Sequence, residues 1–136
     1  MNKVILVTGA AKRIGKQIAK EFFAIDFNII VHFNSSSEDA ISLCDELNAI
    51  RPNSAISIQA NLDNMNDVKN LASQAISAFG RIDGLINNAS TFYPTPMGEF
   101  SEKDWDALMG SNLKAPLFLV QELHEELKRQ SGFVIN

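Results

Sequence analysis

The segment Thr8–Gly15, with the sequence TGAAKRIG, decides the fold of this chain. It follows the run Lys3–Val7, which is continuous in aliphatic residues and predicts a β-strand buried on both faces. Gly9 allows a sharp turn out of that strand, and a helix is expected to begin directly after it. The unpaired N–H groups and positive end of such a helix favour an anion, for example a pyrophosphate. Two glycines six residues apart are also compatible with a plain strand-to-helix loop, which is the alternative interpretation.

Outward from this turn, short apolar runs alternate with helical patterns along the whole chain. The predicted strands are Lys3–Val7, Asn28–Phe33, Ala55–Gln59, Ile82–Asn87 and Phe133–Ile135. This order predicts an α/β fold: a doubly wound parallel sheet of the Rossmann-like type with about five strands, forming a single domain over residues 1–136. Ligands of such sheets bind beyond the carboxyl ends of the strands.

The first predicted helix carries a stripe of Ile14, Ile18 and Phe22. Beside that stripe, Gly15 and Ala19 form a strip of small residues that allows the helix to approach the sheet closely.

The next two helices have predicted ends as well as predicted faces. Ser35 and Glu38 form an expected capping box for the second helix, while Asp63 is the expected N-cap and Gly80 the C-cap of the third. The predicted buried positions of the second helix are Ala40, Leu43, Cys44 and Leu47. The apolar positions of the third, which fit a 3.6-residue period, are Val68, Leu71, Ala72, Ala75, Ile76 and Phe79.

The longest predicted helix lies between the fourth and fifth strands. Its single apolar face is expected to contain Trp105, Leu108, Met109, Leu113, Pro116, Leu117, Val120, Leu123 and Leu127. Asn112 falls on that face, and a buried polar side chain must find partners there, either at a local kink or in a polar network. Pro116 removes one helical hydrogen bond and predicts a bend near residue 112.

The composition excludes several classes of protein. The 136 residues carry a net charge of −4, and 46% of them are hydrophobic. This predicts a soluble globular domain with a small-molecule partner, rather than a protein that binds nucleic acid or an anionic membrane. The single cysteine, Cys44, argues against a disulfide and favours a reducing compartment, so a cytoplasmic location is expected. No apolar run is long enough for a signal peptide or a membrane span.

The two histidines are not expected to bind a metal. His32 lies in a predicted buried strand and should be a satisfied core residue, whereas His124 should lie at the surface. Neither has partners at the spacing of metal ligands, and no metal is predicted. The acidic residues Glu122, Glu125 and Glu126 are expected on a solvated helix face.

The surroundings of the glycine turn indicate which nucleotide binds. Domains that bind NAD usually end the second strand with an acidic residue for the ribose 2′-hydroxyl, but residues 32–36, HFNSS, contain no carboxylate. Lys12 and Arg13 bring two cations to the same corner, where a guanidinium can bind a phosphate through charge-assisted hydrogen bonds. The sequence therefore predicts NADPH/NADP as the cofactor. A solvated charged pair is the alternative for Lys12 and Arg13.

Three stretches resemble the short-chain dehydrogenase/reductase family: residues 8–15, residues 87–89 after the fourth strand, and Asn112 with residues 115–116. Within that family the chain is most similar to the pteridine reductases. Arg13 stands where most members have glycine, and residues 51–56 and 88–96 are similar to theirs. The resemblance covers the whole chain and implies an NADPH-dependent oxidoreductase that reduces a pterin or dihydropteridine.

Residue roles follow from this resemblance. The implied cofactor-binding residues are Gly9, Lys12, Arg13, Ile14, Gly15, Asn34, Ser35, Ser36, Asn61, Leu62, Asn88, Ala89 and Ser90. Ser90 and Phe92 are implied to contact the substrate, with Phe92 stacking on the pterin and Tyr93 remaining structural. Asn112 is implied to support catalysis by organising a water and the catalytic lysine.

Two features of the sequence depart from the family pattern. No basic residue lies among residues 34–36, which leaves Arg13 with more of the contact to the 2′-phosphate and weakens the expected NADPH preference. Asn61 replaces the usual aspartate that accepts a hydrogen bond from adenine, although an amide carbonyl can accept the same bond.

The proton donor of the family is a tyrosine in a Tyr-x-x-x-Lys sequence, and these residues contain no such pair. The only tyrosine is Tyr93, and Met97 stands four residues later. We therefore expect a domain that is incomplete at its C-terminus and inactive as residues 1–136 alone.

Two alternatives remain for the function. One is a naturally short, non-catalytic module for nucleotide binding or subunit pairing, and the other is a short-chain reductase that acts on a different carbonyl substrate. The apolar long helix and an open fifth-strand edge further predict self-association as a homo-oligomer.

Overall fold

The computed structural model describes residues 1–136. Its strands are β1 (Val4–Val7), β2 (Asn28–Phe33), β3 (Ala55–Gln59), β4 (Gly84–Ile86) and β5 (Phe133–Ile135). Its helices are α1 (Arg13–Ala24), α2 (Ser37–Ile50), α3 (Met65–Phe79), α4 (Glu102–Met109) and α5 (Ala115–Arg129), and a π-helical segment, Gly110–Lys114, joins α4 to α5. No helix is long and apolar enough to cross a bilayer.

All five strands are parallel and lie in the order β3-β2-β1-β4-β5. The chain moves outward from β1 in one direction to β3, then returns and continues on the other side through β4. This reversal beside β1 is the point where doubly wound sheets open a crevice at their carboxyl ends. The predicted α/β fold class is confirmed.

Strand β1 forms the centre of the hydrophobic core because both of its faces are buried. Val4 and Leu6 pack in the layer beneath α3 and α5, whereas Ile5 and Val7 pack in the layer beneath α1 and α2. The alternation follows from the two-residue period of a strand, and it explains why the run contains no polar residue.

Most predicted strand limits agree with the structure. The predicted limits of β2, β3 and β5 are those observed, while β1 and β4 are shorter than predicted. Beside β4, the Asp83 N–H still donates to the Val4 carbonyl at 2.8 Å, and the Asn87 N–H donates to the Ile135 carbonyl at 2.9 Å. The predicted fourth strand therefore includes residues that pair with neighbours at the frayed ends of the ladder.

Two predicted helix starts are wrong. The N-cap of α2 is Ser36, whose side chain makes no capping bond, so the expected capping box of Ser35 and Glu38 is absent. The N-cap of α3 is Asn64 rather than Asp63, and its side chain accepts hydrogen bonds from the N–H groups of residues 66 and 67. Several polar residues compete at each of these sites, and tertiary packing selects among them.

The predicted C-cap of α3 is confirmed. Gly80 has φ of +73°, and its N–H donates to the Ile76 carbonyl.

Helix α1 is rotated relative to its predicted apolar stripe. The buried residues are Gly15, Ala19 and Phe23, while Ile14 is 71% exposed. The strip of small residues is thus the face against the sheet, as its close approach requires, and the larger stripe lies at the edge of the interface.

The predicted single apolar face of the longest helix is wrong. Trp105, Leu113 and Leu117 are exposed, and the residues of α5 that are buried are Ala115, Leu119, Leu123, Glu126 and Leu127. The π-helical segment just before Pro116 explains the difference, since each π turn contains an extra residue and rotates the later part of the helix. Where a bend near residue 112 was predicted, the structure has this π-helical segment.

The predicted solvated acidic face of α5 is also wrong at one position. Glu126 is only 4% exposed, and it accepts hydrogen bonds from Arg129 at 2.5 Å and Gln130 at 2.9 Å. These partners satisfy the buried carboxylate. His124 is exposed, as expected.

Candidate functional site

Strand β2 holds the glycine turn that follows β1. Gly9 has φ of +60°, in the left-handed region that favours glycine. Its N–H donates to Nδ1 of His32 at 3.0 Å, and the Ala10 N–H donates to the His32 carbonyl at 3.0 Å. Hydrogen bonds to His32 therefore fix the shape of the turn.

His32 also connects this turn to the end of β3. The residue is buried, and Nε2 lies 2.9 Å from the Ala60 carbonyl oxygen. Because the Gly9 N–H donates to Nδ1, the ring proton is assigned to Nε2, which donates to Ala60. Burial lowers the pKa of His32, and the bond to Ala60 opposes this only in part, so the ring is neutral near pH 7. The predicted satisfied core histidine is confirmed.

Helix α1 begins directly against the turn. A Cβ atom at Gly15 would lie 2.2 Å from the Gly9 carbonyl oxygen, 2.5 Å from Asn88 Nδ2 and 2.9 Å from the Ala10 Cα. Only glycine allows this approach of the helix to the turn.

The first turn of α1 presents backbone donors without acceptors. Lys16 donates to the Lys12 carbonyl at 3.2 Å, whereas the N–H groups of residues 13–15 have no acceptor within the protein. These residues line a cleft of about 470 Å³ at the carboxyl end of β1. Its lining residues are Gly9, Lys12, Arg13, Ile14, Gly15, Ser36, Asn88, Ala89 and Ser90. All nine belong to the predicted cofactor set, and their free N–H groups fit an anion such as a pyrophosphate.

The two cations of the turn have different surroundings. Lys12 Nζ lies 3.2 Å from Oδ2 of Asp39, which belongs to the first turn of α2. Arg13 forms no ion pair, and its φ of +53° places it in the left-handed region, which costs a non-glycine residue about 1–2 kcal/mol. Arg13 is thus the cation of this cleft that has no acidic partner.

The loop after β4 closes the other side of the cleft through Thr8. Thr8 Oγ1 accepts hydrogen bonds from the N–H groups of Asn88 at 3.0 Å and Ala89 at 2.9 Å. Asn88 Nδ2 donates in turn to the carbonyls of Thr8 at 3.0 Å and Gly9 at 3.1 Å. These four hydrogen bonds therefore hold the loops after β1 and β4 together.

A smaller cleft of about 110 Å³ lies at the ends of β2 and β3. Its lining residues are Asn34, Asn61, Leu62, Asp63, Ala89, Ser90, Thr91 and Ser111. The predicted residues Asn34, Asn61 and Leu62 meet here, whereas Ser35 lines neither cleft. Asn61 Oδ1 already accepts from the Asp63 N–H at 3.0 Å, which leaves one lone pair of that oxygen and the amide N–H groups for a ligand.

A third cleft, of about 560 Å³, lies between the loop after β4 and α5. Its lining residues are Asn87, Asn88, Ala89, Ser90, Asn112, Leu113, Pro116, Leu117, Val120 and Asn136. Asn112 is exposed rather than buried, which corrects the predicted burial. Its side chain accepts from the Thr91 N–H at 2.9 Å and donates to the Thr91 carbonyl at 2.7 Å, so Asn112 anchors the loop after β4 to the π-helical segment.

Phe92 and Tyr93 follow directly on this loop but have different environments. Phe92 is 89% exposed. Tyr93 donates from its hydroxyl to Asp104 Oδ1 at 2.9 Å, and Asp104 also closes the capping box of α4 with Ser101. The bond to Asp104 raises the pKa of Tyr93 above its ordinary value, so the hydroxyl stays protonated. The hydrogen bond of Tyr93 thus anchors the loop, while the ring of Phe92 is exposed to solvent.

Residues 3–136 match the family described as short chain dehydrogenase. The chain belongs to this family.

The relatives of this chain are named as reductases of different compounds. Pteridine reductase 1 of Leishmania tarentolae is 38% identical, over 87% of this chain and 52% of its own length. The 3-oxoacyl-(acyl-carrier-protein) reductase FabG of Staphylococcus epidermidis is 33% identical, over 100% of this chain and 56% of its own length. The hydroxynaphthalene reductase-like protein Arp2 of Metarhizium guizhouense is 32% identical, over 98% of this chain and 49% of its own length. The predicted similarity to the family and to pteridine reductases is confirmed, and the chain spans about half the length of the curated relatives it matches.

Sequence reasoning missed two residues that shape the site of this short-chain dehydrogenase. Thr8 connects the loops after β1 and β4, and His32 connects the turn to β3. Both are polar residues at the carboxyl end of a buried strand. That position is a usable signal, because only there does a strand residue reach the crevice of a doubly wound sheet.

Proposed function

We propose that this chain is the cofactor-binding part of an NADPH-dependent reductase. The observation that carries the proposal is the cleft at the start of α1, where residues 13–15 have free N–H groups and glycine alone fits at position 15. Free N–H groups at a helix start can hold a pyrophosphate, and the close packing of Gly15 against the turn fixes that helix start in place. Bound NADPH would supply a hydride, and residues 88–90 would place its nicotinamide end beside the 560 Å³ cleft.

The backbone of Arg13 supports NADPH rather than NADH. Arg13 is held in the left-handed region at a cost, and such strain clusters at ligand sites. The guanidinium has no acidic partner and lines the 470 Å³ cleft at the start of α1, which we call the phosphate cleft. We infer that it binds the 2′-phosphate, which is absent from NADH.

Two substitutions of Arg13 separate its charge from its backbone strain. Arg13→Ala is expected to lower the preference for NADPH over NADH about tenfold or more, because it removes charge-assisted hydrogen bonds of about 1.5–3 kcal/mol each. Arg13→Gly should cause the same loss but raise the free energy of unfolding by about 1 kcal/mol relative to Arg13→Ala, since glycine has no penalty at this φ. Fluorescence titration of both nucleotides and urea denaturation measure the two effects. An unchanged affinity ratio in both variants would reject the assignment.

The substrate we propose is a flat heterocycle of the pterin type. Phe92 lies one residue beyond Thr91, which is anchored to Asn112, and one residue before Tyr93, which is anchored to Asp104. An exposed aromatic ring between two anchored neighbours is well placed to stack on a planar ligand. The similarity to pteridine reductase 1 supports the same class, while the other relatives make a different carbonyl compound the competing candidate.

Phe92→Ala tests this substrate class in the complete reductase of which this chain is the proposed cofactor-binding part, because residues 1–136 alone are expected to be inactive. We expect KM for a dihydropterin to rise about tenfold through lost stacking, with thermal stability nearly unchanged because the ring is exposed. Met97→Ala is the matched control, since Met97 is equally exposed and belongs to the same loop. Equal KM values for both variants, or turnover of a 3-oxoacyl thioester in preference to a dihydropterin, would exclude the pterin proposal.

A homo-oligomer is the proposed assembly. The exposed apolar side chains of Leu113, Leu117 and Phe118 near the start of α5 support it.

A further inference from the structure

An acidic residue lies beside the corner proposed for the 2′-phosphate. Asp39 Oδ2 is 3.2 Å from Lys12 Nζ, and both side chains are about half exposed. Asp39 follows Ser36 by three residues, and Ser36 lines the phosphate cleft together with Lys12. One of the two cations of this cleft is therefore already paired with a carboxylate of the same chain.

We propose that Asp39 is a specificity-determining residue that limits the preference of this protein for NADPH over NADH. Its carboxylate competes with the 2′-phosphate for the ammonium group of Lys12, and its negative charge repels that phosphate. The inference rests on the proposed NADPH function and deepens it. Arg13 is then the cation that does most to distinguish the two nucleotides.

The size of the effect follows from the exposure of the pair. Exposed ion pairs are weak, so Lys12 can exchange partners, and the carboxylate reduces rather than abolishes the attraction for a phosphate. Removing the carboxylate should raise the affinity for NADPH about fivefold, the scale of one exposed charge interaction. NADH carries an uncharged 2′-hydroxyl at this position, so its affinity should change little. A gain in affinity for one nucleotide does not result from a folding defect.

Asp39→Asn and Glu38→Gln form a matched pair of variants. Both remove one negative charge from the first turn of α2, but Glu38 has no ion-pair partner. Dissociation constants for NADPH, NADH and adenosine 2′,5′-bisphosphate are measured by isothermal titration calorimetry. We expect Asp39→Asn to bind the two 2′-phosphorylated ligands about fivefold more tightly, and Glu38→Gln to leave the NADPH to NADH ratio unchanged.

Lys12 and salt provide two independent checks. Lys12→Ala should cost more NADPH affinity in the Asp39→Asn background than in the wild type, because only there is the ammonium group free. The gain should also shrink toward zero near 1 M salt, where the Debye length is about 3 Å.

Three results would overturn the inference. One is an unchanged NADPH affinity in Asp39→Asn, and another is an equal gain for NADH; both reject the inference and leave the proposed function intact. The third is failure of the wild type to bind either nucleotide, which rejects the proposed function and the inference together.

Discussion

Gly15→Ala is expected to destabilise the protein by about 3 kcal/mol and to abolish tight nucleotide binding. The added Cβ would lie 2.2 Å from the Gly9 carbonyl oxygen and 2.5 Å from Asn88 Nδ2. Neither atom is the end of a flexible side chain free to move, since Gly9 belongs to the backbone of the turn and Asn88 Nδ2 is hydrogen-bonded to it. Helix α1 must therefore move away from the turn, which displaces the free N–H groups of residues 13–15.

Gly80→Ala provides the control for this experiment. Gly80 has φ of +73° and no atom within 4 Å of an added Cβ, so its substitution strains the backbone without a steric clash. We expect a loss of about 1 kcal/mol and no change in nucleotide affinity. Urea denaturation and NADPH titration compare the two variants. If Gly15→Ala were no more destabilising than Gly80→Ala, the close approach of α1 to the turn would be wrong.

Asp83→Ala is expected to have the second large effect, a loss of about 2–3 kcal/mol. Asp83 is 3% exposed and accepts three hydrogen bonds, from Arg81 Nε at 2.8 Å, from Arg81 Nη2 at 2.5 Å and from the Val4 N–H at 2.9 Å. The carboxylate thereby joins the start of β1 to β4. Removing it leaves a buried backbone N–H and a partly buried guanidinium without acceptors.

The same residue predicts a dependence of stability on pH. Burial alone would raise the pKa of Asp83, but the bonds from Arg81 and Val4, with the charges of Arg81 and Lys3, lower it overall. A carboxyl whose folded pKa is lowered stabilises the fold fully above its unfolded pKa of about 4, and this contribution is lost as the pH falls through the folded value.

Asp83→Asn isolates that pH dependence. The difference in free energy of unfolding between wild type and Asp83→Asn should be largest near pH 7 and should shrink below about pH 4. Asp26→Asn is the control, because Asp26 pairs with Arg51 but is largely exposed, and it should change stability little at any pH. A difference that stays constant from pH 7 to pH 3 would show that the charge of Asp83 contributes nothing.

Local pattern and chain order were sufficient to predict the sheet. Continuous aliphatic runs such as Ile29–Val31 allow burial on both faces of a strand, and the helices between the runs are long enough for the crossover that parallel strands need. The roles of Gly9 and Gly15 were predictable in the same way. The turn after β1 requires a left-handed residue at position 9, and the close approach of α1 requires a residue without a side chain at position 15.

The sequence by itself therefore determined the fold class and the parallel strands, because these depend on short-range periodicity, while the residues that line the cleft beyond the glycine turn were implied only by the resemblance to the short-chain dehydrogenase/reductase family. Only the tertiary structure decided which face of α1 and α5 is buried. Adjacent apolar stripes on one helix are equivalent locally, and the sheet or a π turn chooses between them.

The partners of Lys12, His32 and Asn112 were likewise decided by the tertiary structure alone. Lys12 meets Asp39, His32 meets Gly9, and Asn112 meets Thr91. These pairs are 20 or more residues apart in the chain, and no local pattern relates residues at that separation. They become neighbours because parallel strands bring their carboxyl ends to one edge of the sheet.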